Sequence, residues 1–273
     1  MEEEKKKIVV GCICERLGNV MCQLAAYMTY AEKYDRKLYV CIIEKNPDKL
    51  VQYNGYIPIL KNFLFLNQES VNILLKHAAV YKEPSDFKYR EIPDFEEDVV
   101  FLIGFYQNEK FFDEKLVKKA FAVPASIKKE IKEKYGDLSK ATSISVRHGS
   151  DYLSQQDYFN VPRGDWYKEA YEAYFPNTKV IVTSDDIAWA KDNVLIKDAI
   201  FVDESDKKSV FWDMYVCSMC KNHITYPGSY GWLGAWLGEK KTSKVVCPDR
   251  WWGPSNSRIS EDIIPDRWVR FKL

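Results

Sequence analysis

Arginine, histidine, glycine and aspartate follow closely on one another in Ser143-Ile144-Ser145-Val146-Arg147-His148-Gly149-Ser150-Asp151-Tyr152. The run begins with the alternation of a short strand and ends in charge and a glycine turn. Open α/β sheets place their ligand-binding groups at such carboxyl ends of strands. An arginine there can give a phosphate two parallel charge-assisted hydrogen bonds. Asp151 could serve as a structural partner for Arg147.

Three other segments have comparable chemistry. Arg16-Leu17-Gly18-Asn19 follows an apolar run, with Gly18 permitting close backbone approach and Asn19 able to cap a helix. A helix start of this kind favours an anion or a sugar hydroxyl, although an ordinary strand–turn–helix connection explains it equally well. Val182-Thr183-Ser184-Asp185-Asp186 ends a second strand in polar residues. Ser184 and Asp185 suit a helix N-cap, or hydrogen bonding to a nucleotide's base or ribose. Asp185 and Asp186 are neighbours on a helix start and point different ways, which disfavours a metal pair.

The last segment, Pro227-Gly228-Ser229-Tyr230-Gly231-Trp232, opens an aromatic helix with small and hydroxyl residues, a suitable seat for a pyrophosphate. A capped core helix would explain the segment too, with Trp232 and Trp236 four apart on its buried face, which leaves Ser229 as the residue assigned to function.

The elements that position these groups alternate along the chain. Residues 8–13 read as a strand, 19–34 as a helix and 38–43 as the next strand, a βαβ opening that favours a parallel sheet. Residues 47–106 are less regular, with a strand at 99–105. Helices follow at 113–120 and 125–135. The second half predicts strands at 142–146, 179–183, 199–202 and 223–226, with 244–247 closing the series. Helices are expected at 165–175, 184–193, 209–221 and from Ser229. The boundary between the two α/β halves falls near 136–141, giving domains 1–138 and 139–273.

Composition narrows the function. Forty basic and forty acidic residues cancel, which argues against a nucleic-acid binder relying on a basic surface. Seven cysteines in 273 residues do not suggest a disulfide framework, and Cys217-x-x-Cys220 lacks a second ligand pair for zinc. A reducing compartment is expected. The charged start Met-Glu-Glu-Glu-Lys-Lys-Lys is not a signal peptide, and no run of about 18 apolar residues could span a membrane.

In this order, the four segments resemble the α-1,2-fucosyltransferases of glycosyltransferase family eleven. That family's pattern is similar to Gly-Gly/Arg-Leu-Gly-Asn-Gln-Met-Phe-Gln-Tyr-Ala, His-x-Arg-Arg-Gly-Asp-Tyr, Ser-Asp-Asp-x-x-Trp and Ser-Ser-Phe-Ser-Trp-Trp-Gly-Ala-Trp-Leu. Here the matching residues are 16–25, 145–152, 184–189 and 228–237, and Asp213-Met214-Tyr215 resembles the helix before the last motif. The resemblance spans roughly residues 8 to 252. It implies a GT-B-like enzyme, two facing Rossmann-like domains with a nucleotide-sugar cleft between them and GDP-fucose as donor. An oligosaccharide ending in galactose would be the acceptor on the N-terminal side, and no cofactor or metal is expected.

By position, the resemblance assigns the pyrophosphate to Arg147, with Ser229 and its neighbouring amides assisting, and the guanosine to Asp185. Donor binding would draw on Gly18, Asn19, Arg147, His148, Ser184, Asp185, Asp186, Gly228, Ser229 and Tyr230. Catalysis would draw on Arg147 and on a base chosen among Asp151, Glu15 and Asp165, although Asp165 could also N-cap its helix. The chain departs from the pattern at Ser145 (histidine), His148 (the second arginine), Val20 (glutamine) and Glu15 (glycine), and an extra residue precedes Asp151. One positive charge is lost unless His148 is protonated, which a pyrophosphate would encourage. Two other classes stay open: a same-fold transferase using another GDP-deoxysugar or linkage, and a non-catalytic nucleotide- or sugar-binding protein, against which Arg147 and Ser229 speak. A cytoplasmic bacterial or viral enzyme is the expected setting, and an enzyme trimmed of a Golgi anchor would look the same.

Overall fold

The structure is a computed structural model that describes residues 6–256 and 262–273. The chain divides into two compact units, Met1–Phe121 and Ala122–Leu273.

The first unit runs β1 (Ile8–Ile13), α1 (Leu17–Lys33), β2 (Lys37–Ile42), α2 (Pro47–Gln52), α3 (Ile57–Leu60), β3 (Leu64–Phe65), α4 (Gln68–Leu74), β4 (Ala79–Lys82), β5 (Val99–Ile103) and α5 (Glu114–Ala120). Its strands form a parallel sheet in the order β3-β2-β1-β5-β4. The chain leaves β1 toward β2 and β3, then returns to place β5 on the other side of β1. That reversal opens a crevice at the carboxyl ends of β1 and β5. Helix α1 lies close on β1 because residue 11 is glycine: a Cβ there would sit 2.1 Å from the Tyr27 ring. The Tyr27 hydroxyl then donates to the Cys12 carbonyl at 2.8 Å.

The second unit runs α6 (Ala125–Tyr135), β6 (Thr142–Val146), α7 (Ser150–Leu153), α8 (Gly164–Tyr174), β7 (Val180–Ser184), α9 (Ile187–Asn193), β8 (Ile200–Phe201), α10 (Trp212–Ser218), β9 (Asn222–Ile224), α11 (Ser229–Gly238), β10 (Val245–Pro248) and β11 (Val269–Phe271). The sheet order is β11-β10-β9-β6-β7-β8, again parallel. Every residue of β6 and β7 is buried, as in strands covered on both faces. Ile144, Val146, Val180 and Val182 meet Trp166, Tyr167 and Ala170 of α8 in one core cluster. The order reverses between β6 and β9, so the second crevice lies there.

The α/β alternation follows the sequence reading, with differences at particular elements. Helix α6 groups with the second unit because Lys179 donates to the Tyr135 carbonyl and the Tyr135 hydroxyl donates to Asp206 at 2.9 Å. The series closes on β11, not on 244–247, and β3, β4 and α7 are additional elements. Asn19 does not cap α1: the helix already starts at Leu17, with Arg16 as its N-cap. At α9 the cap is Asp186, whose carboxylate accepts the Trp189 N–H, so the helix begins at Ile187 instead of 184. Asp165 lies inside α8, which begins at Gly164 with Arg163 as its N-cap.

Candidate active site

Arg147 leaves the carboxyl end of β6 and is mostly buried. Its guanidinium is paired with Asp185 from the end of β7 and, at 2.5 Å, with Asp151 of α7. The guanidinium carbon also lies 4.5 Å from the centre of the Tyr152 ring. The Tyr152 hydroxyl donates to the Pro227 carbonyl at 3.1 Å, which ties α7 to the loop that opens α11. Arg147 is thus oriented by groups from three loops around the β6–β9 crevice.

Asp185 organises the turn that follows Arg147. Its two oxygens accept the backbone N–H groups of His148 at 2.8 Å and Gly149 at 2.9 Å. A Cβ on residue 149 would lie 2.4 Å from Asp185 Oδ2 and 2.8 Å from Arg147 Nη1. A side chain there would require the ends of the Asp185 and Arg147 side chains to shift. Asp186 turns the other way and meets His148 Nδ1 at 3.1 Å, while the His148 ring stacks on Trp189 with centroids 3.7 Å apart. The Trp189 N–H and then His148 hold the Asp186 carboxyl below its usual range. Ser184 Oγ accepts the Asp186 N–H at 2.9 Å.

Behind this layer stands an ion pair that motif reading overlooked in part. Lys207 donates to the Ser184 carbonyl at 2.8 Å and pairs with Asp213 of α10 at 3.0 Å. Burial pushes the Asp213 carboxyl up to about 6, against the opposing pull of Lys207. Its Oδ1 is buried and makes no hydrogen bond. Lys207 follows the acid-rich Asp203-Glu204-Ser205-Asp206, where a lysine reads as surface charge; the burial of Asp213 carried no local signal.

On the other side of the crevice, Gly228 precedes α11 and Ser229 is its first residue. A Cβ at 228 would collide with the Tyr226 ring at 2.3 Å. Tyr230, expected among the donor-binding residues, is held through its hydroxyl. Its phenol donates to the Val210 carbonyl at 2.8 Å and accepts the Met214 N–H at 3.1 Å, fixing α11 to α10. Trp232 and Trp236 are buried and stacked. Cys217 lies 3.4 Å from both Ser145 Oγ and Thr183 Oγ1, and Cys220 bonds the Val216 carbonyl, so both thiols sit in the core. No cluster of three metal-ligating side chains occurs among the described residues.

Glu15, Gly18 and Asn19 belong to the first unit, at the β1–β5 crevice. Glu15 has a left-handed backbone, φ +72°, where the family pattern has glycine. Its N–H donates to Glu44 at 2.9 Å and its carboxylate pairs with Lys49 at 2.6 Å. Asn19 Oδ1 accepts from Gln107 beyond β5 at 2.7 Å, and Gly18 is buried in the first turn of α1. Gln23, which sequence reasoning did not single out, spans the crevice floor: its amide accepts the Cys14 N–H at 3.1 Å and donates to the Gly104 carbonyl at 3.0 Å.

Comparison with known proteins agrees with this architecture. The model of the family described as Glycosyl transferase family 11 matches residues 3–272. An alpha-1,2-colitosyltransferase of Escherichia coli is 27% identical over 97% of this chain and 99% of its own length. The O-antigen biosynthesis glycosyltransferase WbnK of Escherichia coli is 29% identical over 48% of this chain and 44% of its own. Among solved structures, the fucosyltransferase NodZ from Bradyrhizobium superposes with a TM-score of 0.52 at 16% identity, covering 84% of this chain and 92% of that one. A glycosyl transferase family 9 protein from Veillonella parvula gives 0.55 at 11%, covering 100% and 88%. These structural likenesses identify the fold as GT-B-like.

Proposed function

The chain belongs to glycosyltransferase family 11, and on that premise we propose that it is an inverting, metal-independent transferase. It moves fucose from GDP-fucose to a galactose-terminated glycan in an α-1,2 linkage. The observation that carries this reading is Arg147 at the carboxyl end of β6, beside the crevice where α11 opens with Gly228 and Ser229.

The reaction breaks the bond between the anomeric carbon and the β-phosphate oxygen as the acceptor hydroxyl attacks from the opposite face. Negative charge then grows on the departing GDP. Arg147 meets that charge with fixed donors, and the first amides of α11 add the positive end of a helix. A positioned guanidinium does here what a divalent ion does elsewhere, so the reading requires no metal and no other cofactor.

Two carboxylates neutralise Arg147 in the structure, and they are held differently. Asp185 also binds two backbone N–H groups of the turn, whereas Asp151 sits on a single helical turn. Asp185 is therefore the anchor for Arg147, and Asp151 is the partner a pyrophosphate displaces. Once released, Asp151 is available to accept the proton of the acceptor hydroxyl. Glu15, locked to Lys49, serves the first unit as an acceptor-side carboxylate. The reaction takes place in the cytoplasm, where the GDP-sugar is at hand; no helix among the described residues is long and apolar enough to cross a membrane.

A second reading has its own support. The relative that matches over nearly its whole length is named a colitosyltransferase, and colitose is a deoxygenated relative of fucose. The same scaffold would then transfer another GDP-linked deoxysugar. Offering GDP-fucose and GDP-colitose to the protein with a β-galactoside acceptor, and reading the product linkage by NMR, separates the two. An α-1,2-fucosyl product is expected. A colitosyl product alone supports the second reading, and no product from either donor contradicts both.

A further inference from the structure

Ten of the twelve large apolar side chains exposed among the described residues fall between positions 42 and 80, all in the first unit. Across residues 50–68 the sole charge is Lys61. Val51 of α2, Ile57 of α3 and Leu64 of β3 are 69%, 55% and 52% exposed. Leu50 on α2 and Phe65 on β3 are exposed as well. Isolated exposed apolar residues need no explanation, but a concentration in consecutive elements marks an interaction surface.

We propose that this surface seats the protein on an anionic lipid bilayer. Residues 42–82 carry five lysines against Glu44, Asp48 and Glu69, an excess of positive charge in a chain whose charges cancel as a whole. Lys45, Lys61 and Lys76 are exposed among the apolar groups. Apolar side chains beside exposed lysines suit the boundary of headgroups and acyl chains, where burial and attraction to anionic lipid act together.

A second copy of the chain fits this surface less well. The outer strand β3 is only two residues long, a length that gives little edge for strand pairing. A two-fold interface would also bring the exposed Lys45, Lys61 and Lys76 of both copies into one contact, gathering like charges. Within the first unit, α2 also carries the Lys49 that pairs with Glu15 after β1. The inference goes beyond the transferase reading and does not depend on it, since lipid partition reads no catalysis.

Flotation of the full chain with phosphatidylcholine vesicles containing about 30% phosphatidylglycerol tests it. Wild-type protein is expected to float with these vesicles, and less so with added salt or with phosphatidylcholine alone. Val51→Asp/Leu64→Asp, checked for folding by circular dichroism, should lower the bound fraction about tenfold or more. Leu195→Asp, an exposed leucine in the second unit, should float like wild type. Lys61→Glu removes no apolar group and should weaken anionic binding if the double variant fails to fold. Wild type remaining at the bottom with every vesicle would overturn the proposal, as would double and Lys61 variants that float unchanged. So would a concentration-dependent dimer, abolished by the same substitutions, with no lipid binding.

Discussion

Asp185 holds Arg147 and, with the same carboxylate, the backbone N–H groups of the two residues that follow it. One side chain from β7 therefore sets both the direction of the arginine and the path of its loop. The adjacency of β6 and β7 makes this possible, since Val146 and Ser184 are register partners at the ends of the two strands.

Replacing Asp185 with Asn should leave the fold intact but release the guanidinium. Loss of charge-assisted hydrogen bonds costs about 1–3 kcal/mol of stability. A mispointed arginine should lower turnover on the order of 10–10²-fold. Steady-state kinetics with varied donor, read beside thermal denaturation, separates this positioning effect from unfolding. Unchanged kinetics would contradict it.

Gly149→Ala should be costly for reasons of space. The new methyl group would sit 2.4 Å from Asp185 Oδ2, so either the carboxylate that holds Arg147 or the loop must shift. We expect GDP affinity, measured by calorimetry, to fall about tenfold or more as the turn shifts, with far-UV circular dichroism unchanged. Equal affinity would mean the loop tolerates a side chain.

Asp213 should leave a mark on the pH dependence of stability. Its carboxyl rises from 3.8 to about 6, chiefly through burial. The folded state therefore binds this proton more tightly than the unfolded state. The contribution is fully present below pH 3.8 and is lost as pH rises through about 6, on the order of 2–3 kcal/mol. Denaturant titrations of wild type and Asp213→Asn between pH 4 and 7 check the sign. The wild type should lose stability relative to the variant as pH rises; a parallel course would refute the assignment.

Gln23→Ala should destabilise the first unit by about 2–4 kcal/mol, because the Cys14 N–H and the Gly104 carbonyl lose their partner and a buried volume empties. Urea denaturation measures this directly. A change below about 0.5 kcal/mol would show that water replaces the amide.

What the sequence revealed and what it hid follow from the range of the interactions. The buried runs at 142–146 and 180–184 are strands by local pattern, and a terminal arginine is a local signal too. Helix α6 is likewise bounded by Pro124 and Gly136, and its limits were readable. Strands β3 and β11 are two and three residues long, too short for alternation to show. The Asp185–Arg147 pair, the His148–Trp189 stack and the Gln23 bridge depend on strand order. Each joins residues between 9 and 81 positions apart, beyond the reach of local spacing. Ser184, Asp185 and Asp186 are equivalent as cap candidates by type; only the carboxylate demands of Arg147 and His148 distinguish them.

The most direct test of the central claim is GDP release from GDP-fucose in EDTA, with and without a galactose-terminated oligosaccharide, for wild type and Arg147→Ala. The account predicts acceptor-dependent release that survives EDTA and falls on the order of 10²–10³-fold in the variant. Release that requires a divalent ion, or that is unchanged without the guanidinium, would contradict it.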